Sequence, residues 1–407
     1  MGARMLSAVL PAVLALPAAA ADVNVSLDVV PLWLSVNGAS PYNVPLLALP
    51  SRSLRTDLAL SFRQGGWNAQ GALRNLAAEG QTPEQKGVLQ QAYYDGEAGQ
   101  GQGQGWTVGK KVLSWGVGFG FRPLDVVQRE DRRAVAPPPL EGQPLLAWEH
   151  FGTQDAWTLA WVRPGAGSGA ADNRASALAA HWFRLQAGQD WHGVARLSER
   201  HGLEIGGGSA WTRGEEWAFH GAALFETHYR RQVNGLAESG GLLARTLPLQ
   251  EVKAGEAWRA VAGAQWTGAA GWSLLAEAWY DGEAWRRGQW QGQDALVLRQ
   301  RALAGSVPQS AIDGNIAGSA LAYDTPNLLR ENLLLRLAWE QERRWNTYVE
   351  CLVTPADGGR VLTTGLAWTG DRQSLAAGLR FLGGRADSAY AQSPVGRLAW
   401  LEWKLGF

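Results

Sequence analysis

The sequence predicts an all-β chain, a transmembrane antiparallel β-barrel of about 18 strands, with 16 as the other even count its boundaries leave open. Three observations predict it. Segments of alternating apolar and polar residues recur from one end of the chain to the other. After the first 21 residues no apolar run reaches the roughly 18 residues of a spanning helix. Connections between the alternating segments switch regularly between short and long.

Composition narrows the class further. The chain has 407 residues with 22 Trp, 51 Gly, 2 Met and 1 Cys, and 37 basic residues balance 37 acidic ones. Trp in such excess suits surfaces where a ring is half wet and half apolar. Neutrality removes the electrostatic case for nucleic acid as a partner. Cys351 has no second cysteine to pair with, so no internal disulfide forms.

Residues 1–21 read as a secretory signal: Arg4, an apolar stretch from Met5 to about Leu16, and Ala19 and Ala21 before Asp22. Residues 22–407 then form one domain. With helices excluded, a closed barrel is the remaining way to satisfy backbone polar groups in lipid.

The expected strands are 23–36, 54–64, 66–78, 88–96, 105–114, 145–151, 155–163, 174–185, 189–198, 202–212, 216–228, 255–266, 271–280, 330–340, 345–354, 359–369, 372–383 and 396–407. Their faces differ. Trp258, Ala260, Ala262, Ala264 and Trp266 lie opposite Arg259 and Gln265; Leu333, Leu335, Leu337 and Trp339 lie opposite Arg336 and Glu340. Leu375, Ala377, Leu379 and Phe381 likewise oppose Ser374, Gly378 and Arg380. Aromatics at strand ends with small aliphatics between them describe a lipid-facing band between aromatic girdles, around a polar lumen. A soluble sandwich would also alternate, but with strands nearer 5 or 6 residues.

Connection lengths sort by parity. Residues 65, 152–154, 186–188, 213–215 and 370–371 make brief turns, whereas 37–53, 115–144, 229–254, 281–329 and 384–395 make long loops of the other parity. Short periplasmic turns and long extracellular loops are the arrangement of outer-membrane barrels. The expected location is the Gram-negative outer membrane after signal cleavage.

The segment "LAWLEWKLGF", 398–407, places Phe407, Leu405, Trp403, Leu401 and Ala399 on one face and Gly406, Lys404, Glu402 and Trp400 on the other. It resembles the C-terminal signature of Gram-negative outer-membrane barrels. That resemblance implies that Trp403, Leu405 and Phe407 are read by the assembly machinery, and that the strand closes the ring against 23–36. A second resemblance lies in residues 106–133, where Gly109, Lys110, Lys111, Trp115, Gly116, Pro123 and Asp125 are similar to the Gly-Lys, Trp-Gly, Pro-x-Asp stretch of porin-like families, alginate-export-type and uncharacterised outer-membrane barrels among them.

In those families a strand leads there into an inserted loop. Here Gly116, Gly118 and Gly120 allow tight turning, and Pro123 with "APPPLEGQP" stiffens a loop long enough to enter the lumen. Arg122, Asp125, Arg129, Glu130, Asp131, Arg132 and Arg133 bring both charge signs to it, as a pore constriction would. A solvated external loop is the plain alternative. Lys111, Arg259, Glu277, Arg336, Glu350 and Arg380 are the expected lumen lining, with Lys111 fitting better than Lys110 because Val108, Lys110 and Val112 share the other register.

A helix-like piece near 293–305 marks the loop 281–329 as a lid, a plug or a plain excursion. "GQGQGQG" at 99–105 lacks the spacing and the final Lys of a phosphate loop and reads as a flexible turn. His220, Glu226 and His228 share a strand face, but 220 and 226 would stand about 20 Å apart. His181 and His192 lack an evident Ser or Asp partner, and neither GxSxG nor HExxH occurs. No catalytic residue, metal ligand or cofactor is therefore expected. The expected function is a porin-like channel for passive diffusion of small polar or anionic solutes. Its partners would be outer-membrane lipid, the assembly machinery and those solutes. The alternative is a loop-plugged barrel with a structural, adhesive or ligand-binding role.

Overall fold

The structure, a computed structural model, describes residues 21–97, 103–163, 176–342 and 344–407. Residues 1–20 of the expected signal segment 1–21, the start of the glycine-rich turn at 99–102, and residues 174–175 of one expected strand lie outside them.

Among the described residues, twenty strands follow in chain order. They are β1 (Asp22–Val36), β2 (Arg52–Gln64), β3 (Trp67–Ala78), β4 (Glu84–Glu97), β5 (Gln104–Lys111), β6 (Gln143–Phe151), β7 (Asp155–Val162), β8 (Ala177–Gln186), β9 (Gln189–Ser198) and β10 (Gly202–Arg213). Then come β11 (Trp217–Glu226), β12 (Tyr229–Asn234), β13 (Leu249–Ala254), β14 (Ala257–Thr267), β15 (Trp272–Asp281), β16 (Glu331–Gln341), β17 (Trp345–Thr354), β18 (Gly359–Thr369), β19 (Gln373–Gly384) and β20 (Val395–Gly406).

Eighteen of them form one antiparallel sheet, and β12 and β13 make a separate hairpin within a loop. Because β1 pairs with both β2 and β20, the sheet is closed. Closure leaves no edge strand with unpaired backbone groups. The strand count, order and faces agree with the sequence expectation. The ends move by a few residues: β5 stops at Lys111 rather than 114, because Lys111 is its last residue paired with β6 and the chain then leaves the wall.

Side chains alternate as the period of two demands. Leu333, Leu335 and Leu337 on β16 are 46%, 56% and 45% exposed, while Leu334 between them is 1% exposed. The outward residues form an apolar band. Aromatic pairs ring one end of it: Trp67 with Tyr94, Tyr94 with Trp106, Trp157 with Trp182, Trp272 with Trp339 and Trp345 with Trp368, with centroids 5.0 to 6.4 Å apart.

That end is the turn rim. Gly65 and Gly66, both at positive φ, make the two-residue turn between β2 and β3 that such hairpins favour. The opposite, loop rim holds the long connections. It carries α1 (Gly235–Ser239), α2 (Arg287–Arg301), α3 (Gln309–Ala320) and α4 (Ala389–Gln392). Tyr42, Val44, Val297, Ile312 and Ile316 form a small apolar core joining α2 and α3 to the first loop. The Tyr42 hydroxyl donates to Asp294 of α2 at 2.6 Å.

Candidate functional site

The loop of residues 112–142, between β5 and β6, enters the barrel and packs across it. Its first turn is closed by Asp125, whose carboxylate accepts the N–H groups of Trp115 at 2.7 Å and Gly116 at 2.6 Å and the Ser114 hydroxyl at 3.0 Å. Burial raises the Asp125 carboxyl above its usual range, and those donors oppose the shift. Arg122 returns to the same turn, donating to Gly118 O at 2.9 Å.

Wall side chains then seize the loop. Glu277 on β15 accepts the N–H groups of Phe119 and Gly120, each at 2.7 Å, and lies 2.7 Å from His220 Nε2 on β11. A Cβ on Gly120 would stand 3.0 Å from Leu334, so the missing side chain lets the backbone approach the wall. Leu124, fully buried, lies against Gly206 and Gly208 of β10, where added Cβ atoms would come within 3.0 and 3.1 Å of it. Trp115 stacks on His181 at 5.1 Å, and His181 Nε2 lies 3.2 Å from His192 Nδ1. Each buried aliphatic or aromatic anchor contributes roughly 1.5–3 kcal/mol.

Arg129 enters a buried ion cluster on the β10, β11 and β14 wall. It reaches Glu283 at 2.7 Å, Glu204 at 3.5 Å and Glu226 at 3.8 Å. Arg196 pairs with Glu204 at 2.6 Å, Arg259 with Glu204 at 3.3 Å, and His201 with Glu226 at 3.0 Å. His201, Glu204 and Glu226 have ligand atoms within 4.8 Å of one another, the geometry of a metal-binding trio. Three guanidiniums already supply the positive charge there, so the chemistry fits an ion-pair network better than a divalent cation. Such networks fix position more than they add stability.

The other charges have distinct places. Arg132 donates to Phe119 O at 2.8 Å and pairs with Glu130 at 2.9 Å, staying within the loop. Arg133 bonds Pro326 O and Asn327 Oδ1 and lies over the Trp279 ring at 5.3 Å. Lys111 faces inward, 3.0 Å from Asp95, and Lys110 takes the other register beside Glu141. Arg336 pairs with Glu350 at 3.2 Å and stacks on Tyr348 at 3.7 Å. Arg380 donates to Thr363 at 3.0 Å. Arg259 and Glu277, each 3% exposed, face the interior but are covered.

The loop thus fills the interior along β6 to β11 and β14 to β16 and leaves space along the remaining wall. A cavity of about 460 Å³ is bordered by Asp131, Arg133, Glu350, Arg380, Tyr323 and Tyr390. A second, of about 330 Å³, is bordered by Asp28, Asp57, Gln90, Pro139 and Lys404. Between their linings Arg55 of β2 donates to Ala136 O at 2.6 Å, tying the loop to this wall too.

The sequence reading missed the ion cluster's Arg196, His201, Glu204 and Glu283. It did single out Glu226 and His220, which serve two different contacts, while His228 is half-buried and bonds Glu199 O. The inward alternation on β9 and β10 was the available signal. Trp403, Leu405 and Phe407 lie on the outward register, with Trp403 opposite Val29, Leu405 opposite Leu27, and the Phe407 N–H donating to Val25 O at 2.9 Å.

No protein-family model matches the chain, and no curated protein matches it. Among solved structures, OccAB1 of Acinetobacter baumannii aligns with 95% of this chain and 96% of its own, at 8% identity and a TM-score of 0.56. An engineered variant of the porin of Rhodopseudomonas blastica covers 95% of this chain and 100% of its own, at 9% identity and a TM-score of 0.45. A closed 18-stranded antiparallel barrel that aligns along nearly its whole length with OccAB1 has the porin-like fold of outer-membrane barrels.

Proposed function

We propose that the chain is an outer-membrane channel for passive diffusion of small polar solutes, with anions favoured. The observation that carries this reading is the lining of the larger cavity. Arg133 of the interior loop and Arg380 of the wall both border it, and neither forms an ion pair among the described residues. Unpaired guanidiniums at a narrow passage attract anions and repel cations. Asp131 and Glu350 on the same border supply the opposite sign, as a filter for small polar molecules would.

In this reading the turn rim faces the periplasm, the loop rim faces outside, and loop 112–142 is the constriction. Residues 1–21 are removed on export, and the outward face of β20 serves assembly. A second reading, a plugged surface barrel, draws on α2 and α3 packed over the loop rim around Tyr42. Liposome swelling separates the two. Vesicles carrying the folded chain are expected to admit small organic anions faster than neutral sugars of equal size, and folded protein that admits neither would favour the plug.

A further inference from the structure

Three arginines stand at one height on the outside of the wall where the barrel closes. Arg360 on β18, Arg397 on β20 and Arg52 on β2 are exposed and belong to the outward registers of Leu362, Leu401 and Leu54. Their common height follows from pairing. Arg397 is opposite Phe381, which is opposite Leu362, two residues nearer the turn rim than Arg360. Arg52 is opposite Trp33, which is opposite Ala399, again two residues nearer the turn rim than Arg397.

Strands tilted by about 40° and spaced about 4.8 Å apart shift the level position by roughly one residue per strand. The direction of the shift agrees. The pairing row from Thr369, at the turn-rim end of β18, runs through Ser374, Lys404 and Asp28 to Asp57, which lies well above the Gln64 end of β2. The three arginines therefore form a level arc, with neighbouring backbone positions about 12 Å apart. The arc ends at β16, where the matching outward position is Glu331.

Immediately toward the turn rim lies the apolar band: Leu362, Phe381, Trp33 and Leu54 are all exposed. Arg397 holds its guanidinium 6.0 Å over the Phe381 ring. None of the three arginines forms an ion pair among the described residues, whereas nearby Arg385 is paired with Asp387 at 3.3 Å. A partner that fits must send acyl chains down the apolar band and present several anions at the arc. Guanidinium forks bind phosphate oxygens bidentately.

We propose that the arc of Arg52, Arg360 and Arg397 binds the phosphates of a diphosphorylated disaccharide lipid in the leaflet at the loop rim. The proposal rests on the membrane-barrel reading and is independent of conduction. A disaccharide headgroup carries its two phosphates at opposite ends, so it can bridge neighbouring arginines, as a phospholipid with one phosphate cannot.

The test uses the folded chain in phosphatidylcholine nanodiscs, with diphosphorylated lipid A titrated in and retained lipid counted by native mass spectrometry. The wild type is expected to retain lipid A at least tenfold more tightly than the triple variant Arg52→Gln, Arg360→Gln, Arg397→Gln. Fully dephosphorylated lipid A should bind both proteins alike, and Arg213→Gln, at an exposed turn-rim arginine, should match the wild type. Equal retention of lipid A by wild type and triple variant, both folded by heat-modifiable mobility, overturns the proposal. So does equally tight retention of dephosphorylated lipid A or of a phospholipid with one phosphate. Conductance is read in parallel and should be the same in both proteins. A wild type that selects lipid A without conducting would sink the channel reading and leave the arc standing.

Discussion

Glu277 on the barrel wall accepts the N–H of Gly120 at 2.7 Å, joining residues 157 positions apart in the chain. With the matching bond from Phe119, it pins the crest of the interior loop. Hydrogen bonds to an ionised group contribute about 1.5–3 kcal/mol each, and a buried donor left without its acceptor costs about 1–3 kcal/mol. Glu277→Leu should therefore loosen the loop while leaving the strand ladder intact. The expected outcome is a larger, noisier single-channel conductance and new protease cuts within 112–142, with heat-modifiable mobility kept. Wild-type conductance and protection would mean that Leu124 and Arg129 suffice to hold the loop.

Cap stability should depend on pH through Asp294. Burial pushes this carboxyl up to about 6, against the Tyr42 hydroxyl that donates to it, and Asp357 and Asp387 add to the rise. The folded cap then holds a proton that the detached cap has already released between about pH 4 and pH 6. Stability is fully present below about pH 4 and declines as pH rises through 6. Hydrogen exchange of α2 amides, corrected for intrinsic rates, should show about 1–2 kcal/mol more protection at pH 5 than at pH 8. Asp294→Asn should remove most of that difference; an unchanged difference would assign it to another group.

The wall was far more legible in the sequence than its contents. Strands such as β16 declare themselves because lipid demands an apolar residue at every second position, a local rule that Leu333, Leu335 and Leu337 obey. Loop 112–142 was legible as charged, glycine-punctuated and long, but its docking depends on partners distant in the chain. Gly206 and Gly208 read simply as small strand residues, although they clear the space for Leu124. Arg129 read as a loop charge beside an opening, yet it lies among Glu204, Glu226 and Glu283. Arg133 and Arg380 were both read towards the lumen, one from the loop and one from the wall, but nothing local in the sequence paired them at one cavity.

Strand β20 offers a graded test of the lipid-facing assignment. Leu401, 39% exposed on the outward face, lies deeper in the band than Leu405, which pairs with Leu27 near the turn rim. An arginine costs about 2–4 kcal/mol at mid-bilayer and about 0–1 kcal/mol near the interface. Leu401→Arg should thus lower the folded fraction more than Leu405→Arg. Lys404→Gln, which loses a 2.9 Å contact with Glu402 and a positive charge facing Asp28 on the inner face, should leave folding intact. Removing Phe407 deletes its bond to Val25 and an outward ring, and should impair assembly. Equal heat-modifiable fractions for all four variants would remove β20 from the lipid face.

The most direct test is the reversal potential of single channels in planar bilayers under a potassium chloride gradient. The wild type is expected to show discrete steps with anion selectivity, and Arg133→Gln with Arg380→Gln should move the reversal potential toward cations while the steps persist. Folded, inserted protein that gives no steps, or a reversal potential indifferent to both arginines, would contradict the account.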